Sequence, residues 1–333
     1  MRWFWWMNRR LHERGVLGLN ARSARYMLLH NDRRHYPLVD DKLLTKKLFL
    51  EHGIPVPPLH MVFRSTGELR ELATRLGDLR SFVIKPARGS GGRGVMVITD
   101  RESGGWLTAS GTVVSNEDMR CYVADILAGL YSLAGLTDRA IVEYRVQCDT
   151  VFSPVSYRGV PDIRIIVYRK YPVMAMLRLP TMRSGGRANL HQGALGAGID
   201  LHSGATIHAV HGSSPVRLHP DTGSSVIGVV VPKWEAVLNI ASRIADFIPL
   251  GYIGVDIVLD ATQGPMVLEL NARPGLAIQM ANADGLETRL DFIDRLPSLA
   301  ADPAERVRQS RQWFGLPTNS TAFVPKPLSA KAS

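Results

Sequence analysis

Three oxygen-bearing side chains interrupt an otherwise apolar stretch, GYIGVDIVLDATQGPMVLELNARPG, at residues 251–275. They are Asp256, Glu269 and Asn271. Side chains alternate along a strand, so Glu269 and Asn271 point to one face. If ATQG, residues 261–264, is a four-residue turn, Asp256 falls opposite Glu269. Their Cβ atoms would then lie about 5 Å apart. Two carboxylates that close repel, and a half-buried pair relieves the conflict by taking up a proton or a cation. Asp, Glu and Asn supply the hard oxygens that Mg2+ takes, and leave positions for phosphate oxygens and water. The other reading is a carboxylate pair satisfied by Arg273 and nearby backbone.

A second candidate is SFVIKPARGSGGRGVMVIT, residues 81–99. Gly89, Gly91 and Gly94 satisfy G-x-G-x-x-G, but the dinucleotide fingerprint needs a helix to begin at that loop. VMVIT follows instead and reads as a strand, so the match is spurious. A strand–turn–strand loop still has chemical use. Gly89, Gly91, Gly92 and Gly94, with Ser90, let backbone N–H groups approach an anion closely. Lys85 and Arg88 add positive charge beside the loop, and a bare ammonium in the apolar strand VIK is costly without an anionic partner. The bland reading is a flexible hairpin turn with an edge lysine.

These groups need elements to hold them. DDKLLTKKLFLEHGIPVPP predicts a helix whose apolar face carries Leu43, Leu44, Lys47, Leu48 and Leu50, stopped by Gly53 and Pro55. ELRELATRL, residues 68–76, predicts a second amphipathic helix, and 117–134 a third. AIVEYRV at 140–146 and DIRIIVYRKYPVMAMLRLP at 162–180 are strand-rich. Residues 181–225 read as loop with short strands, and 233–249 as an amphipathic helix. His191, His202, His208, His211 and His219 fall in that loop region with no metal-ligand spacing. From about Leu316 onward the composition predicts a disordered tail, 316–333.

The 333 residues are 45% apolar, normal for a soluble globular protein, and no run is long enough to span a membrane. MRWFWWMNRR is too brief for a signal-peptide core. Cys121 and Cys148 match no metal or disulfide spacing, so a reducing cytoplasm and ordinary packing are expected. The net charge of +10 is uneven: residues 1–36 hold eight arginines against Glu13 and Asp32, a net of +6. Such an arm suits nucleic acid, an anionic membrane surface or substrate phosphates, and is equally a solvated helix face.

Taken together, DKLLTKKLFLEHGIPVP, VIKPARGSGGRGV, IVEY, DIR, RANLHQG and GVDIVLD…VLELNARPGL resemble the ATP-grasp superfamily in the superfamily's order, over roughly residues 40–280. The similarity is to the ribosomal protein S6–glutamate ligase-like, or alpha-L-glutamate ligase-like, branch. The resemblance implies an α+β fold, with two α+β subdomains sandwiching ATP. It divides the chain into a basic helical segment 1–40, an N-terminal subdomain with the glycine lid 41–140, and a C-terminal subdomain with the metal site 141–300. Lys42 resembles the first ATP-contacting lysine, and Lys85 the lysine on the α- and β-phosphates. Val142, Glu143 and Tyr144 resemble the hinge that reads adenine, mostly through backbone. Asp162 resembles the acid on the nucleoside side. Arg178, Arg187 and Asn189 resemble the polar groups around the γ-phosphate and acyl-phosphate, and His191 falls near the acceptor. Asp256, Glu269 and Asn271 resemble the magnesium (or manganese) ligands.

The activity implied is ATP-dependent joining of a carboxylate to an amine through an acyl-phosphate, with glutamate or another amino acid as the attached group. The partners implied are a small-molecule or peptide carboxylate and an amine. Nucleic acid is not an expected partner, while a weak anionic-surface contact through residues 1–36 is. Two other readings remain: a non-catalytic ATP-binding module or adaptor, and phosphoryl transfer to another acceptor. The branch usually carries a Rossmann-like pre-domain, whereas 40 basic, helical-looking residues precede Asp41 here, so a substrate pocket must be built differently.

Overall fold

The computed structural model describes residues 11–89, 91–132 and 135–316. The chain forms two compact units. The smaller comprises Pro37–Gln147 and Asp260–Glu269; the larger comprises the residues up to Tyr36, Cys148–Leu259 and the residues from Leu270 onward.

The smaller unit is built on a six-stranded antiparallel sheet of order β1-β6-β2-β3-β4-β5. Its strands are β1 (Leu59–Phe63), β2 (Phe82–Pro86), β3 (Met96–Glu102), β4 (Gly105–Thr108), β5 (Val113–Val114) and β6 (Ala140–Glu143). Phe82, Ile84, Ala140 and Val142 point one way, into a core shared with Leu72, Leu76, Met119, Val123 and Ile126. The last three lie on helix α2 (Asn116–Leu127), whose start is fixed by a Ser115–Asp118 capping box. The alternation sends Val83, Lys85, Ile141 and Glu143 to the opposite face.

Helix α1 (Lys42–Glu51) is capped by Asp41, which accepts from the amides of Leu43 and Leu44. Its inward residues are Thr45, Lys46 and Phe49. Leu44 and Leu50, placed on the buried face by the apolar pattern, are exposed, and Lys47 points to solvent. A polar residue is buried in their stead because a buried acid, described below, awaits it.

The larger unit holds a sheet of order β11-β10-β9-β8-β7-β12-β13. These strands are β7 (Asp162–Tyr168), β8 (Tyr171–Leu179), β9 (Leu195–Ile199), β10 (Thr206–His211), β11 (Ser214–Pro215), β12 (Tyr252–Asp260) and β13 (Gly264–Asn271), and Leu270 and Asn271 are the part of β13 in this unit. Helices α3 (Trp234–Ile244), α4 (Ala277–Asn282), α5 (Glu287–Asp294) and α6 (Pro303–Phe314) belong to the same unit. The strand-rich segment 162–180 resolves into β7 and β8, joined at Arg169 and Lys170, both at positive φ.

The turn between β12 and β13 has three residues, Ala261–Gln263, and Gly264 opens β13 at a φ of +82°. Asp260 builds it: one carboxylate oxygen accepts from the Thr262 amide at 3.0 Å and the Gln263 amide at 2.9 Å. The four-residue turn expected at ATQG is therefore not formed, and the register argument that set Asp256 against Glu269 goes with it.

Residues 11–36 are a packed part of the larger unit. They run through α-helical Leu19–Ala21, π-helical Arg22–Met27 and α-helical Leu28–His30. Asn31, 3% exposed, donates to the carbonyls of Tyr252 and Ala272 and accepts from the Tyr252 amide at 2.9 Å. Leu17 and Gln279 exchange two hydrogen bonds. Arg25 pairs with Glu287 and Asp291, and Arg22 donates to the Pro274 carbonyl at 2.9 Å. Part of the basic charge thus holds the fold together. Of residues 1–40, the first ten lie outside the described residues. The tail 317–333 also lies outside them, and the Leu316 amide donates to Asp200.

Candidate functional site

In the smaller unit, Lys85 on β2 and Glu143 on β6 share a face and lie on a diagonal of the antiparallel pair, within reach of each other. The Lys85 ammonium pairs with one oxygen of Glu143, and Lys46 from α1 takes the other at 2.8 Å and also donates to the Pro57 carbonyl. All three side chains are at most 10% exposed. Two buried ammonium groups thus share one carboxylate, leaving one surplus positive charge. Burial works against ionising Glu143, yet Lys85 and Lys46 outweigh it and hold the carboxyl below its usual range. Burial likewise lowers Lys46, with Glu143 pulling it back up.

The glycine loop leaves β2 and is followed by strand β3, as its sequence predicts. Gly91, Gly92 and Gly94 all adopt positive φ. A Cβ on Gly94 would sit 2.5 Å from Cγ of Tyr131, so the glycine is required both by backbone conformation and by the tyrosine packed on it. Lys42 donates to the Gly89 carbonyl at 2.6 Å and lies 3.6 Å from the Glu269 carboxylate. Arg88 and Arg139 both pair with Asp41, so Arg88 is committed to the cap of α1 as well as flanking the loop. Ser90 lies outside the described residues.

The hinge residues are placed by their neighbours. Val142 is in mid-sheet, paired with Met61 on one side and Ile84 on the other. The Tyr144 amide donates to the Pro58 carbonyl at 2.8 Å, and its hydroxyl donates to Asp260 at 3.1 Å. The Tyr144 N–H is therefore spent on the fold.

In the larger unit a chain of four charges crosses three strands. Arg164 on β7 stands directly opposite Asp256 on β12, and Asp162 directly opposite Arg178 on β8. Arg164 grips Asp256 at two points, one of them 2.7 Å, and Arg178 grips Asp162 in the same way. Arg178 also donates to Asp256 at 2.7 Å, linking the pairs, and the Asn271 amide donates to Asp256 at 3.2 Å. Gly254 makes room for this: a Cβ there would lie 2.9 Å from Cβ of Pro274 and 3.2 Å from Cδ of Arg164. Burial opposes the charge on Asp256, but Arg164 and Arg178 hold it well below the carboxylate range. Burial pushes Asp162 up to about 7 against the pull of Arg178, with the Asp256 charge adding to the push.

The carboxylate was expected to be satisfied by a cation or by Arg273. Asp256 is in fact held by Arg164 and Arg178, while Arg273 lies over the Tyr36 ring at 4.8 Å. Arg187 is exposed in the loop before β9. The Asn189 oxygen accepts from the His191 amide and caps a short 3-10 turn. The histidines are dispersed: His208, His211 and His219 each bond a backbone carbonyl. Among the described residues no cluster of three His, Cys, Asp or Glu side chains is positioned for a metal ion. Cys121 is exposed rather than packed, and burial pushes the Cys148 thiol up to about 11.

Sequence reasoning missed Lys46 and Arg164. Arg164 had a legible signal, because Asp162 and Arg164 share a strand face by alternation. Lys46 had none, since three lysines in one helix look alike until the partner acid is placed.

The family described as sugar-transfer associated ATP-grasp matches residues 21–295. Among solved structures, the chain is similar to the ATP-grasp ligase PsnB complexed with minimal precursor, at 13% identity and a TM-score of 0.42, over 84% of this chain and 63% of that one. It is similar to a RimK domain protein ATP-grasp from Sphaerobacter thermophilus, at 13% identity and a TM-score of 0.44, over 81% and 72%. It is also similar to D-alanine–D-alanine ligase from Bacillus anthracis, at 14% identity and a TM-score of 0.39, over 84% and 69%. The chain spans less than two thirds of the length of PsnB. No curated protein matches.

Proposed function

The chain belongs to the sugar-transfer associated ATP-grasp family, and from that premise we propose that it is an ATP-dependent ligase joining a carboxylate to an amine through an acyl-phosphate. The observation that carries the reading is the surplus of buried positive charge at Lys46, Lys85 and Glu143. A buried ammonium without its own carboxylate is costly, and a triphosphate offsets that cost.

The residues fit nucleotide and cation in chemistry. Lys85 and Lys46 meet phosphate charge; the N–H groups of Gly89, Gly91, Gly92 and Gly94 approach it closely. Asp256, Glu269 and Asn271 are the hard oxygen donors that would hold Mg2+ or Mn2+. The Asn271 amide nitrogen is turned to Asp256, which leaves its oxygen for a cation. When bound, the ion neutralises phosphate charge and polarises the γ-phosphoryl group.

The first step brings two anions together: a substrate carboxylate oxygen attacks the γ-phosphorus and ADP leaves. An amine then attacks the acyl carbon, phosphate departs, and an amide bond remains. Little covalent chemistry falls to the protein, which must position and neutralise. Arg164 and Arg178 act there by bringing two guanidinium groups to the acidic face. They keep Asp256 ionised, and Arg178 reaches between both carboxylates. Arg187 and Asn189, on the loop before β9, serve the γ-phosphate side. The glycine loop shields the acyl-phosphate from water.

The deciding experiment is an ADP-release screen over carboxylate and amine pairs, with mass detection of the product. ADP formation and a new amide mass support the reading. ATP binding without turnover on any pair supports a binding module, and a phosphorylated product supports phosphoryl transfer. Glu269→Ala is expected to abolish Mg2+-dependent ADP release; full turnover in that variant removes Glu269 from the metal set.

A further inference from the structure

The segment joining α2 to β6 supplies no phosphate contact and no metal donor to the proposed ligase site, yet it touches the glycine loop at both ends. Its described residues are 128–132 and 135–139. The segment is itself firmly built. The Ser132 amide donates to the Gly129 carbonyl at 3.1 Å, and the Asp138 amide to the Leu127 carbonyl at 3.2 Å. Gly129 has a φ of +89°, and a Cβ there would lie 2.4 Å from the Leu136 carbonyl oxygen, so the segment turns back on itself at a glycine.

At the entry to the loop, Asp138 organises the backbone. It is 6% exposed. Its carboxylate accepts from the Arg88 amide at 2.9 Å, the Arg139 amide at 2.8 Å and the Ser132 hydroxyl. Among the described residues no lysine, arginine or histidine side chain pairs with it. Burying a carboxylate without a cation is costly, and here three donors offset that cost. Two of the three are backbone amides, so the acid fixes the path of the chain where β2 becomes the loop. Gly89 forms an antiparallel bridge with Ser132, and its carbonyl takes the Lys42 ammonium.

At the exit, Gly94 lies against Tyr131: a Cβ there would come within 2.8 Å of three atoms of the tyrosine. The Tyr131 ring packs in turn on Tyr122 of α2, with centroids 5.8 Å apart, and both rings pack on the core of the smaller unit. Entry and exit of the loop are thus fastened to one short segment, by an acid at one end and an aromatic ring at the other.

We propose that Tyr131 and Asp138 are positioning residues, which hold the glycine loop in the conformation that takes the nucleotide phosphates. The proposal rests on the ATP-dependent reading of the site. Neither side chain acts on ATP directly. Each acts through the loop, because a binding conformation that is already formed lowers the ordering cost of the ligand.

The test compares wild type, Tyr131→Ala, Tyr131→Phe and Asp138→Ala in two measurements. The first is tryptic cleavage after Arg93, an exposed arginine of the loop, read by mass. The second is calorimetric titration with MgATP. Cleavage follows the population of the opened loop. Tyr131→Ala and Asp138→Ala are expected to raise it at least about tenfold, and a tenfold fall in the competent loop lowers MgATP affinity about tenfold. Tyr131→Phe keeps the ring and should match the wild type in both. A melting curve like that of the wild type shows that a variant is folded. If Asp138→Ala does not fold, Ser132→Ala takes its place, stripping one donor from the carboxylate, with a smaller rise in cleavage expected. Unchanged cleavage in the folded variants overturns the proposal, and so does unchanged MgATP affinity alongside faster cleavage. A wild type that does not bind MgATP overturns the nucleotide reading and the proposal with it, an outcome seen without any variant.

Discussion

Replacing Glu143 by Gln tests the charge count at the heart of the proposed nucleotide site. The substitution keeps the shape and removes the carboxylate that Lys46 and Lys85 share. Two ammonium groups, no more than 10% exposed, then face each other across a neutral amide. Breaking a buried ion pair by removing one partner costs roughly 3–5 kcal/mol. Lys46→Met is the control, because it leaves Glu143 paired one-to-one with Lys85 and replaces the surplus ammonium by an apolar chain of similar length. Its expected cost is about 1–2 kcal/mol, mainly the hydrogen bond to the Pro57 carbonyl. The assay is urea denaturation without nucleotide, reading the midpoint at unchanged slope. Glu143 is held below its ordinary value, so it contributes stability above its unfolded pKa of about 4.3 and loses it as pH falls. The gap between wild type and Glu143→Gln should accordingly close in acid. ATP with Mg2+ at about 100 times Kd should stabilise the wild type by about 2.7 kcal/mol, and Lys46→Met should lose part of that gain. If Glu143→Gln unfolds with the wild type, or Lys46→Met costs as much as Glu143→Gln, the argument from surplus charge is refuted.

Gly254→Ala forces a methyl to 2.9 Å from Pro274 and 3.2 Å from Arg164; it should cost about 1–3 kcal/mol and depress ADP release by shifting Arg164, and unchanged denaturation and turnover would show that the strands yield freely. Asn31→Ala strips three buried hydrogen bonds to Tyr252 and Ala272, with an expected loss of roughly 1–3 kcal/mol per group left unpaired; a wild-type melting curve would mean that the N-terminal segment is not held there. For His30, burial lowers the imidazole although Asp294 pulls it upward. Its neutral form is favoured on folding, so stability falls as pH drops below about 6.5; His30→Gln should flatten that slope, and an unaltered slope assigns it elsewhere.

Much of the architecture was legible because alternation is local. VIK and IVE each place one charged residue on the face opposite their middle residue, the core-facing Ile84 or Val142, and Lys85 and Glu143 indeed share a face of the smaller sheet. The strand after the glycine loop is equally plain, since VMVIT has β-branched residues and no helix start. Helix α1 was less legible. Its leucines outnumber its other apolar residues, so the pattern favoured them, while the fold buried Lys46 against an acid almost a hundred residues away.

What the sequence alone determined was the inventory: a lysine strand, a glycine turn, and a late run of Asp, Glu and Asn in apolar strands. What only the tertiary structure decided was the pairing. Asp256 looked like a carboxylate waiting for a cation or for Arg273, and it became the midpoint of Arg164 and Arg178 because β7 and β12 set Arg164 directly opposite it. The basic start of the chain likewise divided in two, Arg22 and Arg25 turning inward to Pro274, Glu287 and Asp291, and the leucines outward. Charge and hydrophobicity are properties of residues, whereas whether a charge is spent depends on which strand or helix arrives beside it.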